Sequence, residues 1–464
     1  MVSTSSAFAQ FWRTDLTRDG LLDLLDREDL QNLRLVCHEL GAGTTRHLFA
    51  EIKVSFRSGT FTKPARVAAL DRIGCHIKTL TFSMPHTHET FLPPLLDPVT
   101  GEEQTFVYTP QVHPSGAGTA RSSEPKYGSW EMTDLLVKQY PPLFHAATNV
   151  PSFVRAVGCM PNIRHVKIVC DGQSPDHRYR RSVVDYALIS LRIALEQARL
   201  PKLEMLSLLP IHPGGILYLR PVLGFGTSPA SRKRWTQIRK LLIHMDSFPY
   251  ERGQAMDHLK ILHSYLAGFP NVRSFVFRWK GEKGPSPLSL ATEPALCDPS
   301  PPVACPTRHA RSLRPLRFQH LRYMELENAI LDASQVSDFI MEHRHTLGEF
   351  EFEDIVLRSG SWDDALAPLS RISGSDEWKA RQEEEMEVPF MLSPVEDVPS
   401  AIRPNNLLHH AATLVEEQRR KARLRRLRDG ASSLARVKAR TRELFWGSPD
   451  HMKKFLRSSV FSWR

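Results

Sequence analysis

Apolar residues recur at three- and four-residue steps through the first forty positions: Leu21, Leu22 and Leu25, then Leu30, Leu33, Val36, Cys37 and Leu40. That spacing stacks them on one face of consecutive helices. Asp26 and Asp29 bracket a break between two short helices, and either can cap the second. Residues 52–56 then alternate between apolar and polar, the period of a strand. Beyond them one pattern returns seven times, three apolar residues spaced L-x-x-L-x-L. It reads Ile77-Leu80-Phe82, Ile163-Val166-Ile168, Leu203-Leu206-Leu208 and Ile238-Leu241-Ile243, then Val272-Phe275-Phe277, Leu321-Met324-Leu326 and Leu347-Phe350-Phe352. Successive starts lie 86, 40, 35, 34, 49 and 26 residues apart, and helical spacing fills the gaps at 183–200, 256–269 and 334–345.

A strand carrying this triplet, followed by a returning helix, is the unit of a leucine-rich-repeat horseshoe. No such unit buries its apolar face alone, so units must stack. The expected fold is therefore α/β: a helical segment over 1–58, an irregular leucine-rich-repeat-like solenoid over 161–375, and a helical basic tail. Only the last spacing falls in the range of the regular repeat, and an ordinary α/β domain whose buried strands share an apolar triplet is the alternative. Residues 59–160 hold the first triplet strand and a proline-rich insertion, and 376–464 hold an acidic linker and the tail. Seven prolines fall in 85–127 and eight in 284–316. Proline fixes φ and lacks a donor, so both stretches read as surface loops rather than central strands.

Composition narrows the class without naming a chemistry. The 464 residues are 41% hydrophobic and 24% charged, ordinary for a globular chain. No apolar run is long enough for a membrane span, and no secretory signal opens the chain. Six scattered cysteines without CxxC spacing read as reduced thiols, placing the chain in the cytoplasm or nucleus. The net charge of +10 is local: 419–442 carries eleven Lys/Arg against Asp429 alone, so the rest balances near zero. A basic field over the whole fold, expected of a nucleic-acid-binding domain, is absent. No aromatic residue falls between 419 and 442 to stack on bases, which disfavours nucleic acid as a partner. Arg419, Arg420, Lys421, Arg425 and Arg426 read as a nuclear-import signal or a solvated helix.

Catalytic patterns are missing. No phosphate-cradling G-x-x-x-x-G-K-[ST], no G-x-S-x-G elbow and no H-E-x-x-H occurs. Gly224-Phe-Gly226 lacks the third glycine of a dinucleotide fingerprint. His343 and His345 stand two apart and point in different directions on a helix. No enzyme, cofactor or metal is expected.

Positions 29–49 read Asp-Leu-Gln-Asn-Leu-Arg-Leu-Val-Cys-His-Glu-Leu and close on Leu48-Phe49. This run resembles the second half of the F-box, D-L-x-x-L-R-L-V-C-x-x-L followed by L-F, and Leu21, Leu22 and Leu25 match the preceding I-L-x-x-L. The Leu-Pro pair that opens the family box has no counterpart at positions 13–16. The resemblance, to fungal F-box proteins with degenerate leucine-rich-like repeats, implies that Leu21, Leu22, Leu25, Leu30, Leu33, Val36, Cys37 and Leu40 dock on a Skp-type adaptor within a cullin–RING ubiquitin ligase. The repeats would then recruit a protein substrate. Between the inward triplet residues, Lys167, Arg239, Lys240 and Arg273, then Glu325, Glu349 and Glu351, point outward as the candidate substrate surface. The rival function is a nuclear protein binding nucleic acid or a partner through the basic C-terminal helix.

Overall fold

The computed structural model describes residues 3–110, 125–172, 181–221, 226, 229–247, 253–288, 290–292 and 315–373. The chain divides into two units near residue 370, and every described strand belongs to the first. Among the described residues fourteen α-helices and eleven strands form an α/β fold. The strands are β1 (Glu51–Ser55), β2 (Thr79–Ser83), β3 (His165–Cys170), β4 (Met205–Ile211), β5 (Lys240–Asp246), β6 (Ser274–Lys280), β7 (Gly284–Pro285), β8 (Tyr323–Glu327), β9 (Ala329–Leu331), β10 (Glu349–Glu353) and β11 (Val356–Leu357). Eight of them make one sheet in the order β1-β2-β3-β4-β5-β6-β8-β10, every pair parallel. A smaller parallel sheet has the order β11-β9-β7.

The apolar triplets set the register. Their middle residues pair strand to strand, Leu80 with Val166, Leu206, Leu241, Phe275, Met324 and Phe350, and Ile52 extends the row into β1. The third residues form a second row from Val54 and Phe82 to Phe352 in the same way. A slip of one residue would turn a whole strand's apolar set to the opposite face, so burial of these rows specifies the pairing. The first triplet residue lies two positions ahead of each strand and is buried every time, from Ile77 to Leu347. Between it and the strand sits one exposed residue, whose carbonyl accepts two N–H groups from the next unit. Lys78 O takes those of Arg164 and His165, Arg239 O those of Arg273 and Ser274, and Arg273 O those of Arg322 and Tyr323, at 2.7–3.1 Å.

Helix Val183–Gln197 is the centre of the helical layer, and apolar residues cover nearly all its sides, as a fully enclosed helix requires. Helices Pro142–Ala147, Val150–Gly158, Gly215–Leu219 and Pro229–Trp235 pack around it. The helix carries an internal ion pair: Arg192 and Glu196, one turn apart, are both buried and meet at 2.8 Å. Glu196 Oε1 also accepts from Ser231 Oγ at 2.7 Å and Trp235 Nε1 at 2.8 Å, tying the helix to the approach to β5.

The insertion at 85–127 corrects the sequence reading. In its described parts Leu92, Leu95, Phe106 and Tyr127 are core residues, not a solvated loop. Phe106 meets Tyr127, Tyr140 and Phe144 edge-on at 5.6–6.2 Å, and Tyr127 shares a 2.9 Å hydrogen bond with Thr148. Aromatic packing of this kind, with isolated antiparallel bridges at Phe91–Ser182 and Leu96–Glu103 in place of a strand, holds the chain, so proline does not expel it. The second insertion also begins inside the fold, where Gly284–Pro285 forms an edge strand of the small sheet, a position that tolerates proline.

Helices Ser3–Arg13, Asp15–Leu22, Arg27–Val36 and His38–Leu48 build a small core of their own from Trp12, Leu22, Leu30, Leu40 and Leu48. Asp26 is the cap of the third helix, its carboxylate accepting from Asp29 N at 2.8 Å. Trp12 lies against Gly43, where a Cβ would come within 2.8 Å of the indole, so only glycine admits the ring there.

Candidate functional site

The adaptor residues expected from the sequence divide when placed on these helices. Leu22, Leu30 and Leu40 are buried in the local core, and Leu21, Leu25 and Leu33 pack half-buried against it. Only Val36 and Cys37 of the expected set stand exposed. What the unit leaves to solvent is a different apolar set: Leu16 and Leu24 at 79%, Leu35 at 83% and Val36 at 69%, with Phe8 and Phe11 on the first helix. Six of the thirteen exposed large apolar side chains among the described residues thus fall within residues 8–36. Scattered singly such residues are ordinary, but their concentration in this one stretch of chain is not. The signal in the sequence was the apolar residues that fall off the helical stripe, Leu16, Leu24 and Leu35.

On the outward face of the large sheet the expected substrate residues occupy defined rows. Lys167, Ser207, Leu242, Val276, Glu325 and Glu351 stand in register across β3 to β10, and His165, Met205, Lys240, Ser274, Tyr323 and Glu349 form the row beside it. Lys167 is engaged by Glu51 at 2.7 Å. His165 Nε2 and Ser207 Oγ share a 2.8 Å hydrogen bond. Burial, with Lys167 and Lys240 nearby, pushes the His165 imidazole down to about 4, so it is neutral in that contact at physiological pH. Glu325 accepts from the Tyr323 hydroxyl at 2.8 Å, and Arg278 pairs with Glu327 at 3.0 Å. The β8–β10 end is acidic, with Glu325, Glu327, Glu349, Glu351 and Glu353 on two adjacent strands. Arg239 and Arg273 lie just ahead of β5 and β6, at the exposed position between the first triplet residue and the strand. Aligning the triplets brings Lys78, Arg164, Glu204 and Arg322 to the same position. Among the described residues none of Lys78, Arg164, Arg239, Lys240, Arg273 and Arg322 has a carboxylate within ion-pair distance.

Two other features are internal. A largely apolar cavity of about 260 Å³ lies between the sheet and helix Ala333–His343, lined by Leu326, Val336, Phe339 and Phe352 with Gln335 and Glu342. Asp185 closes the capping box of helix Val183–Gln197 with Ser182, whose backbone N–H donates to its carboxylate at 3.3 Å. Burial lifts this carboxyl to about 7, outweighing the Ser182 and Tyr218 hydrogen bonds that lower it. The folded chain thus keeps a proton that the unfolded chain releases near pH 4. Its contribution to stability is whole below that range and is lost as pH rises to about 7. The urea midpoint is expected to fall between about pH 5 and pH 7, and Asp185→Asn to flatten that slope. The residue keeps some solvent contact, so the slope is shallow.

No group of three or more metal-ligating side chains occurs among the described residues, and no described helix is long and apolar enough to cross a membrane. The import candidates Arg419, Arg420, Lys421, Arg425 and Arg426 lie outside the described residues. No family model matches this chain, and neither does any curated protein.

Proposed function

We propose that this chain is a non-catalytic substrate-recognition subunit of an SCF-type ubiquitin ligase, docking on a Skp-type adaptor through its N-terminal helices and holding a protein substrate on the parallel sheet. One observation carries the reading: a four-helix unit with its own core keeps Leu16, Leu24, Leu35 and Val36 in solvent, on the segment whose sequence resembles the F-box. Leu35 and Val36 belong to the L-R-L-V-C run itself. We read the larger part of the unit as a leucine-rich-repeat-like solenoid. The support is that the strands of the large sheet follow one another in chain order, with only β7 and β9 set aside in the small sheet, and that the triplets stack in unbroken rows. Such an array offers one long face to a partner.

The test is co-expression of the full chain with a Skp-type adaptor. Capture is expected for the unaltered chain and is expected to drop by about tenfold or more for Leu35→Asp with Val36→Asp, because a charge placed in an apolar interface loses its hydration. Both side chains are exposed, so the thermal midpoint should stay where it was. Undiminished capture by a folded double variant would remove the adaptor assignment.

A further inference from the structure

We propose that the rim formed ahead of the strands is a binding site for a short acidic peptide, laid across the strands from β2 to β8. This deepens the substrate-recognition reading by giving the partner a chemistry and a place, and it does not depend on adaptor docking. The site consists of Lys78, Arg164, Arg239, Arg273 and Arg322, at the same position in every unit from β2 to β8 except that of β4, which has Glu204, with Lys240 beside Arg239. All six are exposed, and none has a carboxylate partner among the described residues.

Like charges one strand spacing apart repel, and a sheet gains by placing opposite charges opposite one another. This chain does so on the outward face of the sheet, where Lys167 meets Glu51 and Arg278 meets Glu327. Along the rim only Glu204, between Arg164 and Arg239, does so, and Arg239, Arg273 and Arg322 follow one another as cations with no carboxylate partner among the described residues. The backbone beneath is fixed, because the rim carbonyls of Lys78, Arg164, Arg239, Arg273 and Arg322 each accept two N–H groups of the next unit. The carbonyls are therefore occupied, and recognition falls to the side chains on a preorganised track. Strands lie about 4.8 Å apart, so Lys78 to Arg322 spans about 24 Å, which an extended peptide covers in about seven residues. Glu204 interrupts the row between Arg164 and Arg239. The complementary segment carries acids toward both ends and a neutral or basic residue between them.

Nucleic acid fits this surface poorly. A duplex carries one charge per about 1.7 Å, far denser than cations set about 4.8 Å apart from strand to strand. It would be laid over Glu325, Glu349, Glu351 and Glu353 on the adjoining strands, and the six rim residues include no aromatic side chain on which bases could stack.

The experiment measures fluorescence anisotropy of a labelled peptide of seven consecutive glutamates titrated with the full chain at low salt, beside a twelve-nucleotide oligothymidylate. The peptide is expected to bind, to weaken as salt rises, and to lose affinity by about tenfold or more when Arg239, Arg273 and Arg322 are all changed to Glu. The neutral triple Arg239→Gln, Arg273→Gln, Arg322→Gln should lose less, and Glu204→Lys should tighten binding. Replacing Arg419, Arg420, Lys421, Arg425 and Arg426 by Gln should leave rim-dependent binding in place. Peptide affinity unchanged in both rim triples would overturn the proposal, as would an oligonucleotide bound more tightly than the peptide through the same side chains. Adaptor capture by the rim variants reports separately on the ligase reading, so failure of one is not mistaken for failure of the other.

Discussion

Glu196→Ala is expected to destabilise the protein by about 3–5 kcal/mol, since it breaks a buried ion pair. The Arg192 side chain is wholly buried and that of Glu196 is 1% exposed. Arg192 Nη1 reaches both carboxylate oxygens, at 2.8 and 3.0 Å, and Ser231 and Trp235 donate to the same carboxylate. Removing the acid takes this acceptor from the Arg192 guanidinium and the Trp235 indole in a buried site, while Ser231 Oγ keeps the Pro221 carbonyl within reach. Chemical unfolding should show a large fall in midpoint with little change in slope. The companion experiment replaces both members, Arg192→Met with Glu196→Met. Exchange of a buried pair for apolar side chains of similar volume is often neutral, so the double variant should recover much of the loss. If the double variant is as unstable as the single one, the cost lies in packing geometry and not in the broken ion pair.

Phe153→Ala is the second large effect, also about 3–5 kcal/mol, from lost transfer energy and the cavity left behind. Phe153 is wholly buried on helix Val150–Gly158, with ring centroids 5.1 Å from Phe56, 4.9 Å from Phe61 and 6.2 Å from Phe82. Those partners come from the end of β1, the loop after it and β2 itself, so one ring joins three parts of the chain. The neighbours are held by backbone on several sides and cannot collapse into the space. Phe153→Leu, which keeps most of the volume, should cost clearly less. Equal losses in the two variants, measured by guanidinium unfolding, would show that the aromatic contacts do not act as a unit.

Much of the sheet could be read from the chain. Each of the seven triplets falls at a strand of the large sheet, because its first residue anchors the turn and its other two share the buried face. The helical spacing at 183–200, 256–269 and 334–345 corresponds to Val183–Gln197, Gly253–Leu266 and Ala333–His343. Side chains whose burial contradicts their chemistry were not legible. Arg192 and Glu196 look like an exposed turn-to-turn pair, and only the helices packed around them enclose them. The prolines of 85–127 suggest solvent, but Phe106 and Tyr127 are held by rings more than fifteen residues away in sequence. At the N-terminus periodicity picks out Leu22, Leu30 and Leu40 correctly as one face. It does not say whether that face meets a partner or the unit's own helices, and here it meets the helices. The rim was half seen: Arg239 and Arg273 stood out, whereas Lys78, Arg164 and Arg322 join them only when the units are superimposed in register.

The order of the sheet bears on how the chain is made. Because the large sheet is laid down in chain order, each of its strands needs only the strand before it, with β7 and β9 passing to the small sheet. As the polypeptide leaves the ribosome, each new strand meets an edge already built by its predecessor, and the rim carbonyl of that predecessor is waiting for two of its N–H groups. Growth is then vectorial, one strand at a time from β1 toward β10. The long gap between β2 and β3 is the slow interval, when the β2 edge stands open to other chains while more than eighty residues emerge. The residues that cover this interval, Leu92, Leu95 and Phe106, come from inside the gap itself.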